Sequence, residues 1–476
     1  MEVAEVRAKI LKHLNLTPTQ DQFRFIKEFS SFVAGDLRVI VLILRGYAGT
    51  GKTTMVRALV KALPELKMYS TLLAPTGRAA KVLTQYTDKR ATTIHRKIYQ
   101  TVDRGGGTIG FRLGKNTAKN TVFFVDEASM INGKGQTQGS GFESMHLLSD
   151  LIEYVQSGDN CSIVFIGDVA QLPPVQEKVS PALSKSLLRS QFGLDSEMVE
   201  IREVLRQAQD SGILFNATKL RNQLFEGAFT PQFEVDDFED VEVVHGNLLS
   251  DYLEDSFGRS GVEQTLLLVR SNKSANKFNQ EIRQRILYRE ERIEAGDMLM
   301  VVKNNYFWIE ATSKPGFIAN GDALEITSVG KLENKYGFEF ADCEVRMVDY
   351  PHEKSINVKI MLDALFVESP SLSYNDLDKL YNELMLEYGH LKNKKAIHFK
   401  IKENPYYNAL QVKFAYAVTC HKAQGGQWKE IYIDQGYLNP DHLDIEYIRW
   451  LYTAVTRATE KLYLVNFNPT LIAGYE

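Results

Sequence analysis

The sequence predicts an α/β protein with parallel sheets joined by crossover helices and interrupted by a small all-β insert. Two observations predict it. From 39 to 170, short apolar runs at 39–45, 70–74, 121–125 and 162–166 alternate with helical patterns, as buried parallel strands and their crossovers do. From 296 to 365 the texture changes to short β-like pieces at 298–302, 324–329, 338–347 and 356–362, divided by turn signals such as Asn320-Gly321-Asp322 and Gly330, which suggests a small barrel.

Taken in order, residues 1–30 read as amphipathic helix with a break at Leu16-Thr17-Pro18-Thr19-Gln20, where Thr17 and Pro18 suit a cap and first turn. The first apolar run ends in Gly46-Tyr47-Ala48-Gly49-Thr50-Gly51-Lys52-Thr53, followed by Thr54 and by Val56, Leu59, Val60 and Leu63 at helical spacing. Arg104-Gly105-Gly106-Gly107 falls in a 96–120 segment that suits a hairpin, and 133–141 reads as a polar surface loop. A second alternating region opens at Thr265-Leu266-Leu267-Leu268-Val269. Within the insert, Leu377, Leu380, Tyr381, Leu384 and Tyr388 form one helical stripe that reads as core packing. Asn404-Pro405 closes the insert, and sheet texture returns at 410–418 and 461–465.

The 476 residues are enough for three or four domains, and the net charge is −4. That excludes a wholly basic surface but not a basic groove. Cys161, Cys343 and Cys420 are far apart and show no disulfide or metal spacing. With no apolar run of membrane length and no basic-then-apolar leader at the N-terminus, the expected setting is the reducing cytoplasm.

Strand, glycine loop and helix together make a phosphate seat. Glycines let backbone N–H groups curl around a polyphosphate at a helix N-terminus. Lys52 can reach the β- and γ-phosphates, and the Thr53 hydroxyl can hold Mg²⁺. A nucleoside triphosphate is therefore expected. Val122-Phe123-Phe124-Val125 ends in Asp126-Glu127, an acid to hold the metal and an acid to take a proton from water. Ser162-Ile163-Val164-Phe165-Ile166 ends in Gly167-Asp168-Val169-Ala170-Gln171, and the neutral Gln171 suits hydrogen bonding to a γ-phosphate or the attacking water.

With these motifs in order, the chain resembles the superfamily 1 helicases of the RecD/Dda type from about 16 to 465, except across 296–405. Leu16-Thr17-Pro18-Thr19-Gln20 resembles the adenine-reading Q motif, with Gln20 as reader. The nucleotide contacts it implies are Gln20, Gly46, Ala48, Gly49, Thr50, Gly51, Lys52, Thr53 and Thr54. Ala74-Pro75-Thr76-Gly77-Arg78 and Thr92-Thr93-Ile94-His95 resemble motifs Ia and Ib, which contact single strands through Pro75, Thr76, Thr93 and His95. Thr419-Cys420-His421-Lys422 opens the motif V counterpart, adding Thr419, His421 and Lys422. Glu203-Val204-Leu205-Arg206 and Tyr452-Thr453-Ala454-Val455-Thr456-Arg457 resemble motifs IV and VI, whose Arg206 and Arg457 would reach the γ-phosphate. Many relatives carry Glu three residues after the motif V Gln; here Gln427 stands there, which weakens any claim to a ribose contact.

The resemblance implies two RecA-like domains: 1A (1–95 and 121–200) and 2A (201–295 and 406–476). It also implies a pin hairpin, 1B (96–120), and an SH3-like barrel with a helical extension, 2B (296–405). Phe111 suits a wedge against the terminal base pair, or equally a core residue. The implied cofactors are ATP and Mg²⁺. The implied partners are single-stranded DNA and its junctions with duplex, together with a single-strand-binding or replication and recombination protein; a monomer is expected. The implied polarity is 5′ to 3′. The competing expectations are a nucleotide-operated clamp, a RecD-like subunit of a nuclease assembly, and an unrelated P-loop phosphotransferase.

Overall fold

The computed structural model describes residues 2–35, 39–103, 109–133, 146–204, 211–310, 313, 315–391, 393–438 and 443–474. Its first sheet has six parallel strands: β1 (Val41–Gly46), β2 (Tyr69–Ala74), β3 (Ala91–Thr93), β6 (Lys119–Val125), β7 (Asp159–Gly167) and β8 (Ser196–Ile201), in the order β3-β2-β6-β7-β1-β8. Between β3 and β6 the chain makes the antiparallel hairpin β4 (Tyr99–Asp103) and β5 (Ile109–Leu113), which pairs Thr101 with Phe111. The Phe111 side chain lies outside the described residues, as does the 134–141 part of the polar loop.

The continuous apolar runs have a simple cause. Successive side chains alternate between faces, and both faces are covered. Leu42, Leu44, Phe124 and Val164 pack under the helices Val3–Leu14, Gln20–Ala34 and Lys52–Ala62. Ile43, Phe123, Val125, Ile163 and Phe165 pack on the opposite side against Leu148, Leu151 and Leu188. The edge strands β3 and β8 lack such a run. Ala91-Thr92-Thr93 is polar and β8 carries Glu197 and Glu200, so their strand character follows from pairing and not from apolarity.

The second helix starts later than the Thr17-Pro18 pair suggests. Thr19 is its cap: Thr19 Oγ1 accepts the Gln22 N–H at 3.3 Å, and Gln22 Oε1 accepts the Thr19 N–H at 3.2 Å. This reciprocal capping box fixes the start at Gln20.

A second parallel sheet comprises β9 (Val241–Val244), β10 (Thr265–Val269), β16 (Ala417–Thr419), β17 (Trp428–Asp434) and β18 (Ala458–Val465), in the order β16-β10-β17-β18-β9. A third, antiparallel sheet is ordered β14-β13-β12-β11-β15, from β11 (Met298–Val301), β12 (Ala323–Lys335), β13 (Phe338–Met347), β14 (Ile356–Met361) and β15 (Val412–Phe414). The sheet texture at 410–418 therefore divides: β15 completes the insert's sheet and β16 belongs to the parallel one. The two sheets share one core, in which Leu267, Val269 and Tyr432 meet Leu299, Leu324 and Val345. The stripe on the helix Tyr374–Glu387 buries Leu380 and Leu384 against Phe338 and Phe340.

The insert also reaches the first sheet's lobe. Arg96 donates to the Ser313 carbonyl at 2.9 Å, and Lys81 pairs with Asp349 at 3.3 Å. Asp322, 2% exposed, keeps one carboxyl oxygen without a partner, and a Cβ on Gly77 would stand 2.5 Å from that atom. Burial, with the nearby Asp349 charge adding to it, pushes the Asp322 carboxyl up to about 8. Lys81, Tyr350, Arg96, Arg90 and Arg78 are also ionisable groups around this contact. An unfolded Asp ionises near 4, so between about 4 and 8 only the unfolded state sheds its proton, and stability falls as pH rises through that window. Asp322→Asn should therefore gain on the wild type between pH 5 and pH 9 by about 4 kcal/mol. Thermal melts at the two pH values that show an equal gain would refute this.

Among the described residues, no helix is long and apolar enough to cross a membrane.

Candidate active site between the two parallel sheets

Adjacent parallel strands end at one edge, so the loops after β1, β6 and β7 converge. They meet the second sheet's loops across a cleft of about 310 Å³, within the range of small-ligand sites. Its walls carry Ala48, Gly49, Lys52, Thr53, Asp126, Glu127, Asp168 and Gln171 from the first lobe, and Gly425, Gln427, Thr456 and Arg457 from the second.

The phosphate loop has the backbone its glycines predict. Gly49 (φ 72°) and Gly51 (φ 80°) lie in the left-handed region, where any side chain is strained. A Cβ on Gly46 would come within 2.7 Å of Lys52 Cγ. Lys52 folds over the loop and donates to the Tyr47 carbonyl at 2.9 Å, as does the buried Thr50 hydroxyl at 2.8 Å. Thr53 and Thr54 occupy the first turn of the helix Lys52–Ala62.

The acids follow β6. Asp126 accepts the Glu127 N–H at 2.9 Å, and burial, reinforced by the Glu127 charge, pushes its carboxyl up to about 6. Glu127 itself sits at φ 51°, a strained setting for a non-glycine residue of the kind that gathers at functional sites. Asp168 is buried, and burial raises its carboxyl as well, opposed by the Lys52 charge. Gln171 is 6% exposed, and its side-chain oxygen has no hydrogen-bond partner. An orphaned acceptor in a cleft wall fits a ligand or a water that brings a hydrogen. The oxygen-only set of Thr53 and Asp126 fits a hard divalent cation.

From the opposite lobe, Arg457 is buried and held by its own surroundings. Its guanidinium donates to the Thr453 and Gly426 carbonyls at 3.1 and 3.0 Å and to the Thr456 hydroxyl at 3.2 Å. Gln427, which weakened the ribose reading, does line the cleft, with its side-chain oxygen accepting from the Tyr86 hydroxyl at 2.9 Å.

Two family models match parts of the chain. The AAA domain matches residues 33–230, and the UvrD-like helicase C-terminal domain matches residues 414–465. The chain is 29% identical to the ATP-dependent RecD2 DNA helicase of Deinococcus radiodurans over 37% of this chain and 21% of that one. It is 25% identical to the ATP-dependent DNA helicase Dda of Enterobacteria phage T4 over 57% of this chain and 58% of that one. The chain is similar to the superfamily 1 helicases of the RecD/Dda type. It is also 24% identical to an uncharacterized protein of Methanocaldococcus jannaschii over 97% of its own length. It spans 40% of that relative, so each of these three relatives is less than two-thirds covered.

Not every residue singled out in the sequence comes to the cleft. Gln20 is exposed in the first turn of its helix, whereas Gln22 is buried and donates from its amide to the Thr50 carbonyl at 2.9 Å. The capping box aims Gln22, not Gln20, at the phosphate loop. Arg206 lies outside the described residues. Pro75 and Thr76 follow β2, and Thr76 caps the helix Gly77–Thr87, while Thr93 caps Ile94–Ile98. A Cβ on Gly425 would come within 3.3 Å of Thr76 Oγ1, so the motif Ia and motif V loops meet across the lobes. His95 lies beside Tyr99 at 5.8 Å, and burial depresses its imidazole to about 4, leaving it neutral near pH 7. Thr419 ends β16, His421 is exposed, and burial lowers Lys422 from its ordinary range. Asp168, Gln22 and Tyr452 were passed over in sequence. All three fall inside quoted or adjoining motif segments, but only the fold reveals what their side chains touch.

Proposed function

We propose that this chain hydrolyses ATP between two RecA-like domains to move 5′ to 3′ along single-stranded DNA and open duplex. One observation carries the reading. The cleft draws Lys52, Thr53, Asp126, Glu127 and Gln171 from one lobe and Gln427 and Arg457 from the other. A triphosphate seated there touches both, so its hydrolysis changes how the lobes are held together.

In this mechanism Lys52 and the loop amides hold the β- and γ-phosphates, and Glu127 accepts the proton of the attacking water. Gln171 orients that water or the γ-phosphate. Arg457, with Arg206, neutralises charge developing on the γ-phosphate. Thr53 and Asp126 would hold Mg²⁺, which supplies charge neutralisation at the β- and γ-oxygens. Gln20 is assigned to the adenine edge.

Pro75, Thr76, Thr93, His95, Thr419, His421 and Lys422 form the strand track, which contacts sugar and phosphate without reading sequence. A neutral His95 serves there as a hydrogen-bonding or stacking group, not as a cation. The 1A, 1B, 2A and 2B divisions are assigned as the sequence suggests, except that β15 carries the 2B sheet to Phe414. In this assignment 2B is an SH3-like barrel bracing the strand, and the hairpin, with Phe111, is the pin. Single- and double-strand DNA junctions are the proposed substrate of a monomer. A single-strand-binding or replication and recombination protein is the proposed protein partner.

Strand separation on duplexes with either a 5′ or a 3′ tail tests this. ATP turnover should rise at least tenfold with single strands, and only the 5′-tailed duplex should open. Opening of the 3′-tailed duplex alone would reverse the polarity, and stimulated turnover with neither duplex opened would make the protein a clamp.

A further inference from the structure

Tyr452 stands on the helix Ile445–Val455 of the second lobe and is 1% exposed. It does not line the cleft. Its hydroxyl nevertheless crosses between the lobes at two points: it accepts the N–H of Ala48 in the phosphate loop at 2.9 Å and donates to Asp168 Oδ2 at 2.6 Å. The other oxygen of Asp168 accepts the Ala170 N–H at 2.9 Å, so the receiving carboxyl is itself fixed. Burial, then the Asp168 charge, raises the phenol well above its ordinary range, and it stays a donor at every working pH.

The next residue repeats the arrangement. Thr453 Oγ1 accepts the Leu172 N–H at 2.8 Å and donates to the Arg449 carbonyl at 2.7 Å. The Thr453 carbonyl in turn accepts from Arg457 Nε at 3.1 Å. One helical turn is therefore pinned to the first lobe on one side and carries the cleft arginine on the other. The plainer alternative is that Tyr452 only fills the second lobe's core, where its ring does pack with Leu451 and Val455. Core filling needs the ring and has no use for the hydroxyl, and phenylalanine would satisfy it.

We infer that Tyr452 is a positioning residue: its hydroxyl, strung between Ala48 and Asp168, registers the motif VI helix against the phosphate loop and so places Arg457 at the γ-phosphate. The inference rests on the proposed ATPase cleft. A misplaced charge stabilises the transition state less while ground-state binding is spared.

The test compares wild type, Tyr452→Phe, Arg457→Ala and the double variant in the full chain. Tyr452→Phe should lower the kcat of ATP turnover about tenfold, leave KM for ATP within about twofold, and shift Tm by about 2 °C or less. In the Arg457→Ala background, Tyr452→Phe should cost no more than about a further twofold, because its effect runs through that arginine. An unchanged kcat, a full tenfold loss repeated in the Arg457→Ala background, or a loss that tracks a fall in Tm would overturn it. If wild-type turnover ignores single strands, the motor reading fails by itself, and the same four-way comparison is still read on basal turnover.

Discussion

Lys52→Ala is expected to reduce ATP turnover by about a thousandfold or more and leave the fold intact. The reduction follows from electrostatics: removing one preorganised cationic donor from a developing phosphoryl charge carries a loss of roughly 10²–10³, and Lys52 serves the ground state as well. The intact fold follows from what Lys52 touches. Its ammonium meets the Tyr47 carbonyl, and its stem lies beside Gly46, where alanine leaves room in place of a clash. The apolar packing under the loop is carried by Met55, Val56 and Leu59. Steady-state turnover with and without single-stranded DNA, read beside a thermal melt, checks both halves. A variant keeping a tenth of wild-type turnover would remove Lys52 from the chemistry, and one that melts far earlier would make it a structural residue.

Glu127→Gln should separate binding from hydrolysis. The amide keeps the length and shape of the acid but cannot take a proton from water, and general-base loss is worth roughly 10²–10⁴ in rate. ATP binding should persist, because the phosphate contacts belong to the loop and to Lys52. The metal seat should persist too, since the Glu127 charge is one of the causes that raise the Asp126 carboxyl, and its removal leaves Asp126 easier to ionise. Single-turnover hydrolysis with a parallel nucleotide-binding titration reads the two steps apart. Normal hydrolysis in this variant would exclude Glu127 as the base, and lost binding would make it a nucleotide contact.

The legible parts of the molecule share one property: they are local. Continuous apolar runs over 39–45 and 162–166 mark strands because both faces of a parallel sheet are buried, and the glycines mark a loop because only glycine tolerates the backbone at 49 and 51 and the closeness of Lys52 at 46. Strands without an apolar run, Ala91–Thr93 and Ser196–Ile201, gave no such signal. The helix cap is Thr19 and not Thr17, because a side-chain hydrogen bond to Gln22 decides it and not the position of Pro18. That same bond points Gln22, not Gln20, into the phosphate loop.

The chemistry available to this protein is legible along the chain: a lysine and a threonine after a glycine loop, two acids at a strand end, and arginines far downstream. Each is a residue type whose role follows from its own charge and its immediate neighbours. Which distant groups meet is a property of the fold. Tyr452 reaches Ala48 and Asp168, Gly425 approaches Thr76, and Asp322 fills the space a side chain on Gly77 would need. The physical reason is that hydrogen bonds and steric contacts act over a few ångströms, whereas these partners stand hundreds of residues apart. Their meeting depends on the order of strands in two sheets and on how the lobes face each other, and neither is written in any local pattern.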